Sequence, residues 1–171
     1  SNIDGDIKIV FVGRLVKVKN ATKLPEIFAE LPQEFSLLIV GDGPKRNAVQ
    51  SAINEENISD RVHLVGERPH QEAIGSIKEA DLLLLPSRAD AYPTVVFEAL
   101  SLNTPVLATP VGVLPTIDHT LLRTAKLSEF EDALPEIDLD TDDRVDEETL
   151  DRFSVDRFTR DVRAHLVAFT E

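Results

Sequence analysis

A chain of 171 residues with 42% hydrophobic and 29% charged side chains is long enough for one domain with a sizeable core. Its formal net charge of −13 argues against a nucleic-acid footprint and against an anionic membrane surface, since both want basic patches. The absence of cysteine excludes a disulfide framework and a thiolate metal site, and no apolar run reaches transmembrane length.

The remaining compositional signals are expectations. The four histidines (His63, His70, His119 and His165) share no ligand spacing, so no metal site is expected. No signal peptide is visible, which points to the cytoplasm. Acidity with arginine in excess of lysine fits a halophilic source and an ordinary acidic cytoplasmic protein alike. The chain has no methionine and opens "SN", so residues 1-2 read as a tag remnant. Residues 3-171 then read as one domain of something larger.

Along the chain, short apolar runs closed by Gly or Pro alternate with helical spacing. "IKIVFVG" (7–13), "FSLLIVG" (35–41), "RVHLVG" (61–66), "DLLLLP" (81–86) and "PVLATP" (105–110) suit strands covered on both faces. Between them "ATKLPEIFAEL" carries Leu24, Ile27, Phe28 and Leu31 on one stripe. "PKRNAVQSAINEE" carries Ala48, Val49, Ala52 and Ile53, and "PHQEAIGSIKEA" carries Ala73, Ile74 and Ile77. Strand, loop and helix in repetition predict an α/β fold, a doubly wound parallel sheet of the Rossmann-like kind. Such sheets take ligands outside the carboxyl ends of their strands.

After His119 acids outnumber bases and apolar residues thin out. A helix is expected near Ser128 to Leu134, followed by a polar loop through "DLDTDDR". That loop lacks the ligand order and glycine of an EF-hand and reads as solvated. A terminal helix is expected from about Ser154, whose hydroxyl can cap it, with Phe158, Val162, His165, Leu166 and Phe169 as its stripe.

Three stretches carry chemistry. Between Ile7 and Pro25 stand Lys8, Arg14, Lys17, Lys19 and Lys23 with no acid. Gly13 permits close backbone approach, a guanidinium grips phosphate through parallel hydrogen bonds, and an ammonium adds point charge. This reads as an anion site. In "VGDGPKRN", Gly41 and Gly43 supply a tight turn, and Pro44 is placed at a helix start. It lacks both the dinucleotide fingerprint and the P-loop order. In "SRADAYPTVVFEALS", Pro93 suits a first helical turn, and a helix from about Pro93 to Leu102 would point the N–H groups of Thr94, Val95 and Val96 at the crevice. Glu98 lies one turn in, surrounded by apolar residues, and needs a partner. Either a base such as Arg14 or a pair of ligand hydroxyls would serve.

The succession "FVGRLVKVKN", "LLIVGDGP", "VHLVGERP", "ADLLLLPSRADAYPTVVFEAL" and "TPVLATPVG" resembles the donor-binding half of family-four retaining glycosyltransferases of the GT-B architecture. It runs in order over residues 7–117, and "FSVDRFTRDV" resembles the family's closing helix. The resemblance implies that Arg14 and Lys19 bind the diphosphate of a nucleotide-sugar donor and that Glu98 accepts hydrogen bonds from the ribose. It places Asp90 near the donor sugar and the backbone around Gly66 to Arg68 near the base. It further implies retention at the anomeric carbon, no cofactor beyond the nucleotide sugar, and no metal. The acceptor site would lie on an N-terminal domain absent from this chain, which by itself would be inactive. Through that missing domain the enzyme would sit peripherally at the inner membrane face.

The chain departs from the family pattern at Asp90 (for Glu), Ala91 and Asn103 (for Gly), Val113 (for Gly) and Thr116 (for Glu), mostly around the sugar pocket. An unusual donor sugar and a weakened site both fit. A catalytically silent nucleotide-binding or scaffolding domain, and a nucleotide-sugar epimerase domain, are the alternatives.

Overall fold

In the computed structural model, which describes residues 7–137 and 139, the five expected strands form as β1 (Ile7–Val12), β2 (Phe35–Val40), β3 (Val62–Gly66), β4 (Leu82–Leu85) and β5 (Val106–Ala108). A sixth, β6 (Leu122–Thr124), joins them. Every neighbouring pair is parallel and the order is β3-β2-β1-β4-β5-β6. The order reverses between β1 and β4, which opens a crevice at their carboxyl ends. β6 escapes the sequence pattern because "LRT" is three residues long and largely exposed; only its pairing to β5 makes it a strand. The tag-remnant reading, the "DLDTDDR" loop and the terminal helix lie outside the described residues.

The helices are α1 (Leu24–Glu30), α2 (Arg46–Glu55), α3 (His70–Lys78), α4 (Thr94–Ser101) and α5 (Phe130–Ala133). One face of the sheet packs Leu24, Ile27, Phe28, Val49, Ile53 and Phe130 over Ile9, Phe11, Leu37 and Ile39. The other packs Ala73, Ile77, Val96, Ala99 and Leu100 over Val10, Leu83, Leu85, Val106 and Ala108. Successive residues of β1 thus serve opposite layers, as pleating requires. Each such fully buried Leu, Ile or Phe contributes about 1.5–3 kcal/mol relative to exposure. The α2 stripe is narrower than expected: Val49 and Ile53 are buried, whereas Ala48 is exposed.

Two local devices fix the ends of the helices. The buried Arg61 guanidinium donates to the carbonyls of Phe28 (2.5 Å) and Pro32 (3.0 Å), capping the end of α1 and tying it to the loop before β3. Pro93 precedes α4 with extended geometry, and Asn103 follows it at φ 57. Asn103 therefore does what a glycine would do there, since asparagine tolerates the left-handed region. It also sits at the end of α4 remote from the crevice, so it does not belong with the sugar-pocket departures.

Candidate functional site

The glycines at the strand ends work first on the backbone. Gly13 N–H donates to the Val40 carbonyl at 3.0 Å, Leu15 N–H to Asp42 at 2.8 Å, Lys45 N–H to Leu15 at 2.9 Å and Gly41 N–H to Gly66 at 2.8 Å. These bonds lace the exits of β1, β2 and β3 into one wall. The wall demands glycine at 41, where a Cβ would lie 1.9 Å from the Gly13 carbonyl oxygen. Pro44 lies before the α2 cap residue Lys45 rather than inside the helix, because Lys45 is held back by Leu15.

In front of this wall lies an open cleft of about 550 Å³, lined by Gly13, Arg14, Gly41, Asp42, Gly43, Glu67, Arg68 and His70. The structure thus brings Gly13, Arg14, Gly41, Gly43 and Arg68 together as expected. Gly66 is buried behind them. Acids in the cleft are partly engaged: Asp42 accepts the Gly43 N–H at 2.6 Å and faces Arg46 Nη1 at 3.5 Å. Arg68 stands 4.0 Å from Glu72 on an exposed flank. Arg14 is exposed and enters no ion pair among the described residues. A second groove, about 460 Å³, runs along α3 beside Lys8, Val10, Leu38 and Glu79. It runs from Lys8 at the start of β1 to Val65 and Arg68 at the end of β3, and Glu72 and Glu79 make it a poor anion site.

Lys19, Asp90 and the start of α4 form a separate junction between the loops after β1 and β4. Lys17–Lys19 makes one 3-10 turn, ended by Asn20 at φ 54, whose buried amide donates to the Pro86 carbonyl at 2.9 Å. Arg88 N–H donates to the Val18 carbonyl at 2.7 Å. Across this seam Lys19 Nζ pairs with Asp90 Oδ2. Gly112 lets the same loop pack closely, since a Cβ there would lie 2.2 Å from the Asp90 carbonyl oxygen and 2.3 Å from that of Ala91. Neither the pair nor Gly112 is visible in the sequence as a feature of the site, because both depend on which loops the strand order makes neighbours.

At α4, Val96 N–H is taken by the Pro93 carbonyl at 3.0 Å, which leaves Thr94 and Val95 at the open end of the helix. Tyr92 stacks on Phe97 with ring centroids 4.7 Å apart, so the "AYP" turn is anchored on α4. Glu98 keeps 19% of its side chain exposed, and the basic side chain beside it is not Arg14 but His70, with Nε2 3.8 Å from Oε1. His70 was missed in the sequence; the available signal was its place directly after Pro69, starting a helix at the ligand edge. Among the histidines, His119 is buried, and burial lowers its pKa below the ordinary 6.5, with Asp118 opposing weakly.

A parallel sheet of this order, with a cleft outside the strand ends at its switch point, defines a Rossmann-like domain of the GT-B kind. The family model described as "Glycosyl transferases group 1" matches residues 1–118, and the chain belongs to that family. A Bacillus subtilis glycosyltransferase assigned to teichuronic acid biosynthesis, TuaC, is 32% identical over 130 residues, covering 73% of this chain and 31% of TuaC. The lipopolysaccharide outer core galactosyltransferase WaaB, solved in its apo form, is 27% identical with a TM-score of 0.66, covering 77% of this chain and 40% of WaaB. Anabaena HepE, solved in complex with UDP-glucose, shares the fold at 21% identity and a TM-score of 0.66, covering 78% of this chain and 39% of HepE. The chain thus spans about a third of the length of TuaC.

Proposed function

We propose that this chain is the donor-binding half of a retaining glycosyltransferase that moves a sugar from a nucleoside-diphosphate sugar to an acceptor held on a separate domain. The observation that carries this reading is the glycine-walled cleft in which Arg14 stands unpaired among the described residues, in a protein of net charge −13. An unpaired guanidinium at the carboxyl ends of a parallel sheet suits a diphosphate. That HepE was solved with UDP-glucose supports a nucleotide sugar as the ligand class.

In this reading Arg14 and Lys19 hold the diphosphate, and the N–H groups of Thr94 and Val95 at the start of α4 face it. As the bond to the sugar breaks, negative charge grows on the departing phosphate, and these donors stabilise it without reorganising. Glu98 accepts the ribose hydroxyls, and the backbone from Gly66 to Arg68 borders the base. Neither a metal nor a further cofactor enters the scheme. The enzyme would act in the cytoplasm and meet the inner membrane face through its other domain.

One observation favours a second reading, a silent nucleotide-binding or scaffolding domain. Lys19 is already neutralised by Asp90, which weakens one of the two phosphate ligands. A melting screen against UDP, GDP, ADP and dTDP at millimolar concentration tests the shared premise. A nucleotide at about 100 times its Kd raises stability by roughly 2.7 kcal/mol, and no response to any of the four would remove the donor-domain reading.

A further inference from the structure

Lys19 and Asp90 retain only 22% and 17% of their side-chain exposure, so water and salt screen the pair less than an ordinary surface ion pair. Both loops are pinned. Asn20 and Arg88 tie the lysine loop to the β4 exit, and Val113 N–H donates to the Ala91 carbonyl at 3.3 Å beside the close approach that Gly112 permits. Lys19 therefore cannot reach an incoming phosphate without bringing that phosphate close to the Asp90 carboxylate. Asp90 has a side chain one methylene shorter than glutamate, which keeps its charge beside its own loop.

Resting on the donor-domain reading above, we propose that Asp90 is a specificity-determining residue. Its carboxylate, held by its loop beside Lys19, disfavours a bare nucleoside diphosphate relative to the same nucleotide esterified with a sugar. A bare diphosphate ends in a terminal phosphate with a single anhydride link, which ionises a second time near neutrality. The sugar ester lacks that additional charge. A fixed carboxylate beside Lys19 therefore repels the bare nucleotide more than the sugar nucleotide, and the difference speeds release of the spent nucleotide. The carboxylate engages Lys19 through Oδ2. This chemistry depends on the charge of the phosphates and not on the identity of the sugar.

The test is calorimetric titration of the 171-residue chain at low ionic strength. Its probes are the tightest binder among UDP, GDP, ADP and dTDP, and the glucose ester of that nucleotide. Asp90→Asn is expected to tighten the bare diphosphate about tenfold while moving the glucose ester less than about twofold. Asp90→Glu, which restores the charge, is expected to return the ratio of the two affinities toward that of the wild type. The Lys19→Gln background guards against misfolding of the single variant. Adding Asp90→Asn there removes an unpaired acid and must still favour the bare nucleotide. An unchanged affinity ratio in both backgrounds, or weaker binding of the bare nucleotide, overturns the proposal while leaving the donor-domain reading intact. A wild-type chain that binds none of the four nucleotides overturns both.

Discussion

The two halves of the crevice use similar residues to opposite effect. On the β1–β2–β3 side, Gly13, Gly41 and Gly43 build the wall of an open cleft, and Arg14 is exposed with no ion pair among the described residues. On the β1–β4 side, a loop of the same basic character closes on an acid, and Lys19 and Asp90 satisfy each other. The difference lies in what the opposing loop brings. The Asp42 turn folds its carboxylate back onto Gly43 N–H and Arg46, whereas the Asp90 loop, packed closely over Gly112, turns its acid to the lysine. A cation at a ligand edge is therefore informative only once its counter-charge is located.

The largest expected effect comes from the open side. Gly41→Ala would force a Cβ against the Gly13 carbonyl, and we expect a loss of about 3 kcal/mol, seen as a melting temperature lower by on the order of 10 °C. An unshifted melt would mean that the wall yields and that the open side is not rigid. Next, Arg14→Ala should weaken nucleoside diphosphate binding about ten- to a hundredfold in titration calorimetry, because a charge-assisted bond is lost. Folding should hardly change, since Arg14 is exposed and supports nothing else. If affinity survives, the closed side carries the phosphates after all.

Glu98 lies at the border between the halves. Glu98→Gln is expected to reduce nucleotide affinity about tenfold and stability by less than about 1 kcal/mol. Equal losses in both measurements would reassign Glu98 to a structural pair with His70. The smallest effect should come from outside the crevice. Asn103→Ala places a side chain with no αL preference at φ 57 and should cost about 1 kcal/mol in denaturant melts. Asn103→Gly should be close to neutral, and neither change should alter nucleotide affinity.

Much of the fold was legible because buried parallel strands are written as unbroken apolar runs ended by Gly or Pro. "LLLL" could be read as β4 from four letters, and all four are buried. β6 was not legible, since an exposed three-residue edge strand carries no such pattern. In the site, Gly13, Arg14, Gly41 and Gly43 were identifiable from their positions after strands and Arg68 through the family resemblance, and they share one cleft. His70 was not, because a lone histidine after a proline has many ordinary explanations. Asn103 was misplaced for a related reason. Its deviation from a family glycine reads as a change in the pocket until the backbone shows a left-handed residue at the far end of α4.

By itself the sequence determined the doubly wound sheet, the basic loop after β1 and the retention of Glu98 in an apolar helix. Each is a local pattern whose physics acts over a few residues. Only the tertiary structure decided which charges meet. The strand order sets the β1 and β4 exits side by side, which gives Lys19 to Asp90, while α3 and α4 packed on one face of the sheet bring His70 to Glu98, and Arg14 is left in the open cleft. Charges interact through distance in space, and the sequence separation of 71 between Lys19 and Asp90 holds no record of it.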